Sequence, residues 1–222
     1  MGKYNIYIIC KNEEIFIKKS EDFKQFKSKI CHIQWIPAEY LKLTQCNKKL
    51  LKKLNTRHNT MDKSIIAKLG CIAAHRKALL AIYSNQTDNN LILEEDATFS
   101  NKLPVAPKES CYFGGWIIPP QITKAGKVKL NIYPKKGLNQ IDYQKFKILT
   151  THSLFIKTHE EAIELLDTLV KPESLKNYDV QLADDEWFKF YQYPPVFVQS
   201  DHKSEIDNAK NKNYLRTQNY GL

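Results

Sequence analysis

The stretch LILEEDATF, residues 91–99, sets three aliphatic side chains directly before three acids, Glu94, Glu95 and Asp96. A short apolar run of this kind suits a strand buried on both faces, and SNQTDNN (84–90) supplies the turn that precedes it. Where a sheet carries helices on both faces, ligands bind beyond the carboxyl ends of its strands, so the acids fall at the mouth of a candidate site. Three like charges repel unless something holds them. A divalent cation, Mg2+ or Mn2+, suits hard carboxylate oxygens and reverses the repulsion. The competing reading leaves the acids solvated or paired with lysines. Because side chains alternate along an extended chain, Glu94 and Asp96 are expected on one side, with Glu95 pointing elsewhere, toward Arg76 or a ligand hydroxyl.

Upstream of this strand, residues 64–83 have the pattern of a helix. Ser64 can cap it, and Ile65, Leu69, Ile72, Leu79 and Tyr83 share a stripe at about 100° per residue. Arg76 falls on the same stripe. A buried guanidinium is costly, so Arg76 is expected either where the helix meets a polar site or snorkelling past its edge. Earlier still, YNIYIIC (4–10) reads as a buried strand, Phe23, Phe26 and Ile30 have helical spacing, and HIQWIPAEY (32–40) is a strand stopped by Pro37.

Downstream, SCYFGGWII (110–118) is a strand signal broken by Gly114 and Gly115, and KVKLNIY (127–133) and KFKILTTHSLFIK (145–157) are strand-like. THEEAIELLDTLV (158–170) is a helix with Thr158 as cap and Glu161 at the capping-box position, stopped by Pro172. YDVQLADDEWFKFY (178–191) reads as a loop entering a short helix, and YPPVFVQ (193–199) as a last strand. Strands alternating with helices predict an α/β fold with a mostly parallel central sheet flanked by helices. One domain is expected over residues 1–207, followed by an Asn- and Lys-rich tail, 208–222, expected to be mobile.

The 222 residues are 42% hydrophobic and 26% charged, which excludes wholesale disorder. Five scattered cysteines, with no CxxC pair and no Cys/His cluster at zinc spacing, fit a reducing compartment. No apolar run approaches the roughly 20 residues of a membrane helix. A soluble cytoplasmic protein is therefore expected, with peripheral membrane contact left open. The net charge of +10 is concentrated at the front, where residues 1–60 hold thirteen Lys and Arg against five acids. Such a segment suits a nucleic acid, an anionic membrane surface or a phosphorylated small molecule, or is simply a solvated lysine-rich face.

The block KLGCIAAHRKALLAIYSNQTDNNLILEEDATF (68–99) resembles the central part of the family-25 glycosyltransferases, the lipooligosaccharide and collagen galactosyltransferase group, in which a GxxGCxxSH helix precedes a strand ending in ILEDDA. The matching residues are Gly70, Cys71, His75, Ile92, Leu93, Glu94, Asp96 and Ala97. The order of later blocks is similar too: YFGGW, HSLFIKTHEEAIELL, the Asp-led YDVQLADDEWF and PVFVQSDHKSEI. The resemblance covers roughly residues 4–206. There are departures: no arginine follows the first strand, Ala74 replaces the serine before the helix histidine, and Glu95 replaces the central aspartate.

The resemblance implies a GT-A-like fold and transfer of a sugar from a nucleotide-sugar donor, most simply a UDP-sugar, to a hydroxyl of a glycan, glycolipid or glycoprotein acceptor, with inversion. Glu94 and Asp96 would hold Mn2+ or Mg2+, with His202 a candidate third ligand from the C-terminal side. Asp179, Asp184 and Asp185 are candidate bases for the acceptor hydroxyl, Asp179 matching the Asp-led motif best, whereas Asp184, Asp185 and Glu186 equally fit a helix N-terminal acid cluster. Gly70, His75, Arg76, Glu95, Gly114 and Gly115 are candidate donor-binding residues, and His152 is a candidate on the acceptor side. Bland alternatives stay open: a core-edge role for His75, a plain bulge at the glycines, core packing for Trp116 and Trp187.

Two other classes fit parts of the pattern. A non-catalytic basic nucleic-acid-binding protein would use the Lys-rich first third, but no nucleic-acid module is recognisable and few aromatics interleave with the lysines, so no nucleic acid is expected. A metal-dependent phosphoesterase would use the same acids.

Overall fold

The computed structural model of the chain describes residues 2–38, 62–118, 132–169 and 177–200. Its centre is a seven-stranded sheet. Strand β1, Tyr4–Cys10, lies between two parallel neighbours, β2 (Ile30–Pro37) and β3 (Asn90–Glu94). Strand β9, Ser153–Ile156, then runs antiparallel between β3 and β5 (Cys111–Tyr112), and β10 (Phe190–Tyr193) and β7 (Gly137–Gln140) complete the order β2-β1-β3-β9-β5-β10-β7. The sheet is mixed. It is parallel across β2-β1-β3 and between β5 and β10, and antiparallel wherever β9 or β7 pairs.

The antiparallel strand explains why KFKILTTHSLFIK is not one element. It breaks into β8 (Lys147–Leu149), which pairs with β6 (Trp116–Ile118) in a separate ribbon, and β9 in the main sheet. Thr150–His152 is the bend between them. A second ribbon pairs β4 (Ala97–Phe99) with β11 (Phe197–Gln199). The strand expected over 127–133 lies largely outside the described residues.

All seven residues of β1 are buried, as a strand covered on both faces demands. Tyr7 and Ile9 of β1, Ile92 of β3 and Leu154 and Ile156 of β9 face one core, while Ile6 and Ile8, Leu91 and Leu93, and Phe155 face the other. The first core is closed by helices α2 (Asp62–Asn85), α3 (His159–Thr168) and α4 (Tyr178–Asp184). The second is closed by Phe23 and the β4–β11 ribbon, with helix α1 (Glu13–Glu21) lying over it. Each large side chain so buried stabilises the fold by roughly 1.5–3 kcal/mol.

Two helices have clear local causes. In α3 the Thr158 hydroxyl accepts from the Glu161 amide at 3.2 Å, as the capping box predicts, although Glu161 returns to the Lys157 amide and Ser110 instead of to the cap itself. In α1 the side-chain oxygen Oδ1 of Asn12 accepts from the Ile15 amide at 3.0 Å, with Glu13 and Glu14 in the first turn. The helical spacing of Phe23, Phe26 and Ile30 does not mark an α-helix: Phe23 precedes and Phe26 lies within a 3-10 segment, Lys24–Lys29, and Ile30 opens β2.

Helix α2 corrects two expectations. It starts at Asp62, two residues before Ser64, so Ser64 is not its cap. Its buried face is Ala74, His75, Ala78, Leu79 and Ile82, while Arg76 and Tyr83 are exposed. The helix is apolar over most of its surface, so periodicity leaves the inward stripe open. Packing chose the one whose small residues allow close approach to the sheet. Among the described residues no helix is long and apolar enough to cross a membrane.

Candidate active site

The three acids end β3, but the chain does not stay extended through them. Glu95 and Asp96 form the turn between β3 and β4, and each acid finds a different neighbour. Glu94 faces α2, with Oε1 3.5 Å from Nε2 of His75. Glu95 turns to the β1–α1 loop, where Oε2 accepts from the Lys11 amide at 3.1 Å. Asp96 turns to β11, where Oδ2 accepts from the Gln199 amide group at 2.6 Å, and its own carbonyl accepts from the Ser200 amide at 2.8 Å. Glu95 therefore turns to the β1–α1 loop and not to Arg76, which is exposed on α2. Nor do Glu94 and Asp96 simply share a face by alternation.

These partners leave valences open. Oε1 of Glu94 and Oδ1 of Asp96 are buried oxygens with no hydrogen-bond partner among the described residues. Glu94 as a whole is a quarter exposed, so the carboxylate has one buried and one reachable edge. Burial first, then the charge of Asp96, and further off those of Asp179 and Glu95, push its carboxyl up to about 8, with the Thr151 hydroxyl opposing. The desolvation cost and the mutual repulsion are what a bound cation would relieve. Glu94 and Asp96 thus each offer one unsatisfied carboxylate oxygen at this turn, and the charge of a third carboxylate is felt there.

That third acid is Asp179, and α4 brings it there. Tyr178 packs its ring edge-on against His75, centroids 4.7 Å apart, which sets α4 against α2, with Asp179 in the first turn of α4. Its charge acts on both Glu94 and Cys71. Oδ1 of Asp179 also accepts from the Val180 amide at 2.8 Å, which holds the carboxylate at its helix N-terminus. Asp184 and Asp185 stand at the opposite, C-terminal end of α4, where Asp184 pairs with Lys147 at 2.6 Å and Asp185 is exposed. An N-terminal acid cluster is therefore the wrong description of that pair.

His75 is 1% exposed. Its Nδ1 lies 3.0 Å from the Cys71 carbonyl and its Nε2 3.3 Å from the Thr151 carbonyl, and burial holds the ring neutral, down to about 4. A neutral ring donates from one nitrogen only. Cys71, one turn earlier, has Sγ 3.8 Å from His75 Nδ1, and Cys71, His75 and Glu94 each offer a ligand atom within 4.8 Å of the others. The Cys71-x3-His75 spacing was the overlooked signal, because both side chains leave one helix face and a third ligand arrives from a strand distant in sequence. A second trio, Asp88, His159 and Glu160, is a surface ion-pair chain, with both ring nitrogens of His159 taken by carboxylates at 3.2 and 3.1 Å.

His152 is buried, within reach of the Asp96 charge. Its Nδ1 bonds the Thr150 hydroxyl, while Nε2 is turned toward the Phe197 carbonyl and the Asp96 charge without meeting a partner in hydrogen-bond geometry. Gly114 is the reason this imidazole fits: a Cβ there would strike the Phe197 carbonyl and come within 2.7 Å of His152 Nε2 and Ser153 Oγ. The close backbone approach is thus to the chain's own β11 and His152. Gly115 has φ +123°, which side chains disfavour, and its Cα faces Thr150 and Ile148. Gly70 is buried within α2. His202 lies outside the described residues. Trp187 packs on the first core, edge-on to Phe188 at 4.6 Å.

Lys19 was not singled out by sequence. Its ammonium donates to the Ala97 carbonyl at 2.6 Å, and burial lowers its proton affinity against the pull of Asp22, Asp96 and Glu95. It is the cation that α1 lends to the acid turn.

No protein-family model matches this chain, and no curated protein matches it either.

Proposed function

We propose that the chain is a metal-dependent glycosyltransferase, moving a sugar from a nucleotide-sugar donor to a hydroxyl of a glycan, glycolipid or glycoprotein acceptor. The observation that carries the reading is the pair of buried oxygens without a partner among the described residues, Glu94 Oε1 and Asp96 Oδ1, at the turn that ends the central strand β3. That is where an α/β sheet binds ligands. Glu94 and Asp96 would hold Mn2+ or Mg2+, which when bound supplies Lewis-acid stabilisation of the charge on a departing diphosphate. Asp179, anchored by the Val180 amide, is the one of the three candidate bases whose charge acts on Glu94, and its role is to take the proton of the acceptor hydroxyl. His75 and Tyr178 orient Glu94 and Asp179, and Lys19 steadies the turn from beneath.

The experiment is incubation with Mn2+ and a panel of nucleotide sugars. Slow release of free nucleoside diphosphate, lost in Asp96→Asn, supports the transferase. Release of inorganic phosphate instead makes the protein a phosphoesterase that uses the same acids. Neither product, together with salt-steep binding to DNA, makes it a nucleic-acid-binding module.

A further inference from the structure

We propose that Cys71 Sγ, His75 Nε2 and a carboxylate oxygen of Glu94 form a site for a borderline transition-metal cation of the Zn2+ class, distinct in chemistry from a hard Mg2+ site. Cys71 and His75 stand one helical turn apart on α2, so both side chains leave the same face, and β3 delivers Glu94 onto that face. Cys71 Sγ, a ring nitrogen of His75 and a carboxylate oxygen of Glu94 lie within 4.8 Å of one another, a spread that small side-chain movements can gather around one ion. Thiolate, imidazole and carboxylate together select a borderline cation, where an all-oxygen set selects Mg2+ or Mn2+.

The orientation of His75 supports the assignment. With Nδ1 donating to the Cys71 carbonyl at 3.0 Å, the shorter of the two carbonyl contacts, the lone pair falls on Nε2, which lies 3.3 Å from the Thr151 carbonyl and 3.5 Å from Glu94 Oε1. A ligating histidine whose other nitrogen is fixed by a backbone carbonyl is the usual outer-shell arrangement of zinc sites. Tyr178, edge-on to the ring at 4.7 Å, fixes its plane. The buried Glu94 Oε1 has no partner among the described residues, which leaves it a ligand in waiting. As the metal–sulfur bond forms, the Cys71 thiol gives its proton to solvent. Three protein ligands leave a fourth position for water. The site shares Glu94 with the transferase reading but does not depend on that reading.

Cobalt(II) is the probe, because thiolate ligation produces a near-ultraviolet charge-transfer band that carboxylates and imidazole do not. Titrating the full chain with Co2+ should raise this band at one equivalent, and Zn2+ should displace the ion while excess Mg2+ should not. The band should vanish in Cys71→Ser, persist in Cys31→Ser and Asp96→Asn, and require at least about tenfold more Co2+ in His75→Ala. A folded wild-type protein with no such band, or a band kept in Cys71→Ser, overturns the proposal. Should Cys71→Ser not fold, alkylation of the wild-type chain decides: Zn2+ should slow modification of Cys71 at least about tenfold and leave the exposed Cys31 unchanged. Equal rates with and without Zn2+ also overturn it. Mn2+-dependent donor hydrolysis, read separately, reports on the transferase alone.

Discussion

Oε1 of Glu94 lies 3.5 Å from Nε2 of His75, joining the end of β3 to the middle of α2 at a separation just too long for a formed hydrogen bond. With the carboxyl raised and the imidazole lowered by burial, the two meet at neutral pH as a neutral acid and a neutral base, not as an ion pair. This contact and the turn it belongs to set the predictions that follow.

Stability should fall as pH rises from about 6.5 to about 8. Glu94 keeps its proton in the folded state up to about 8 but loses it near 4.5 when unfolded, so over that window the native state binds more protons and loses stability as pH rises. His75 acts with the opposite sign between 6.5 and about 4, which offsets Glu94 where the windows overlap. The uncompensated part is about 2 kcal/mol at most, at roughly 1.4 kcal/mol per unit. Denaturant melts of wild type and Glu94→Gln across this range check it. The variant's stability should be nearly flat, and an equally steep fall in both would exclude Glu94 as the cause.

Asp96→Asn should abolish Mn2+-dependent donor hydrolysis while changing the midpoint of thermal unfolding by only a few degrees. The residue sits in a turn, and an asparagine can keep the contact with Gln199. Unchanged turnover in a folded Asp96→Asn protein would remove it from the cation site.

Among the three candidate bases, Asp179→Asn should lower transfer to acceptor by about 10²–10⁴-fold, the usual worth of a positioned base, with donor binding retained. Asp184→Asn and Asp185→Asn should stay within about twofold of wild type, since they lie at the far end of α4 and Asp184 is engaged by Lys147. Steady-state kinetics with saturating donor distinguish the three.

Gly114→Ala should destabilise by about 1–3 kcal/mol, since the added methyl meets a backbone oxygen that cannot swing away as a side chain could. Thr158→Ala should cost about 1 kcal/mol through loss of the α3 cap. Urea titrations read both. A neutral Gly114→Ala would mean that β11 can shift without loss.

The sequence by itself determined that YNIYIIC and LILE are strands buried on both faces, that Thr158 caps a helix, and that acids gather at a strand end, because each of these rests on a handful of adjacent residues. The 3.6-residue pattern also located α2, but could not say which side of a mostly apolar helix turns inward, and so put Arg76 where His75 belongs. The direction of β9, the bend at Thr150–His152 and the separate partners of Glu94, Glu95 and Asp96 were decided only in three dimensions. Strand direction depends on what lies alongside, and the state of a carboxylate depends on which distant groups desolvate it. Neither Cys71 and His75 on one side of Glu94, nor Asp179 on another, is adjacent to it in the chain; α2 and α4 bring them there by packing against the same face of the sheet.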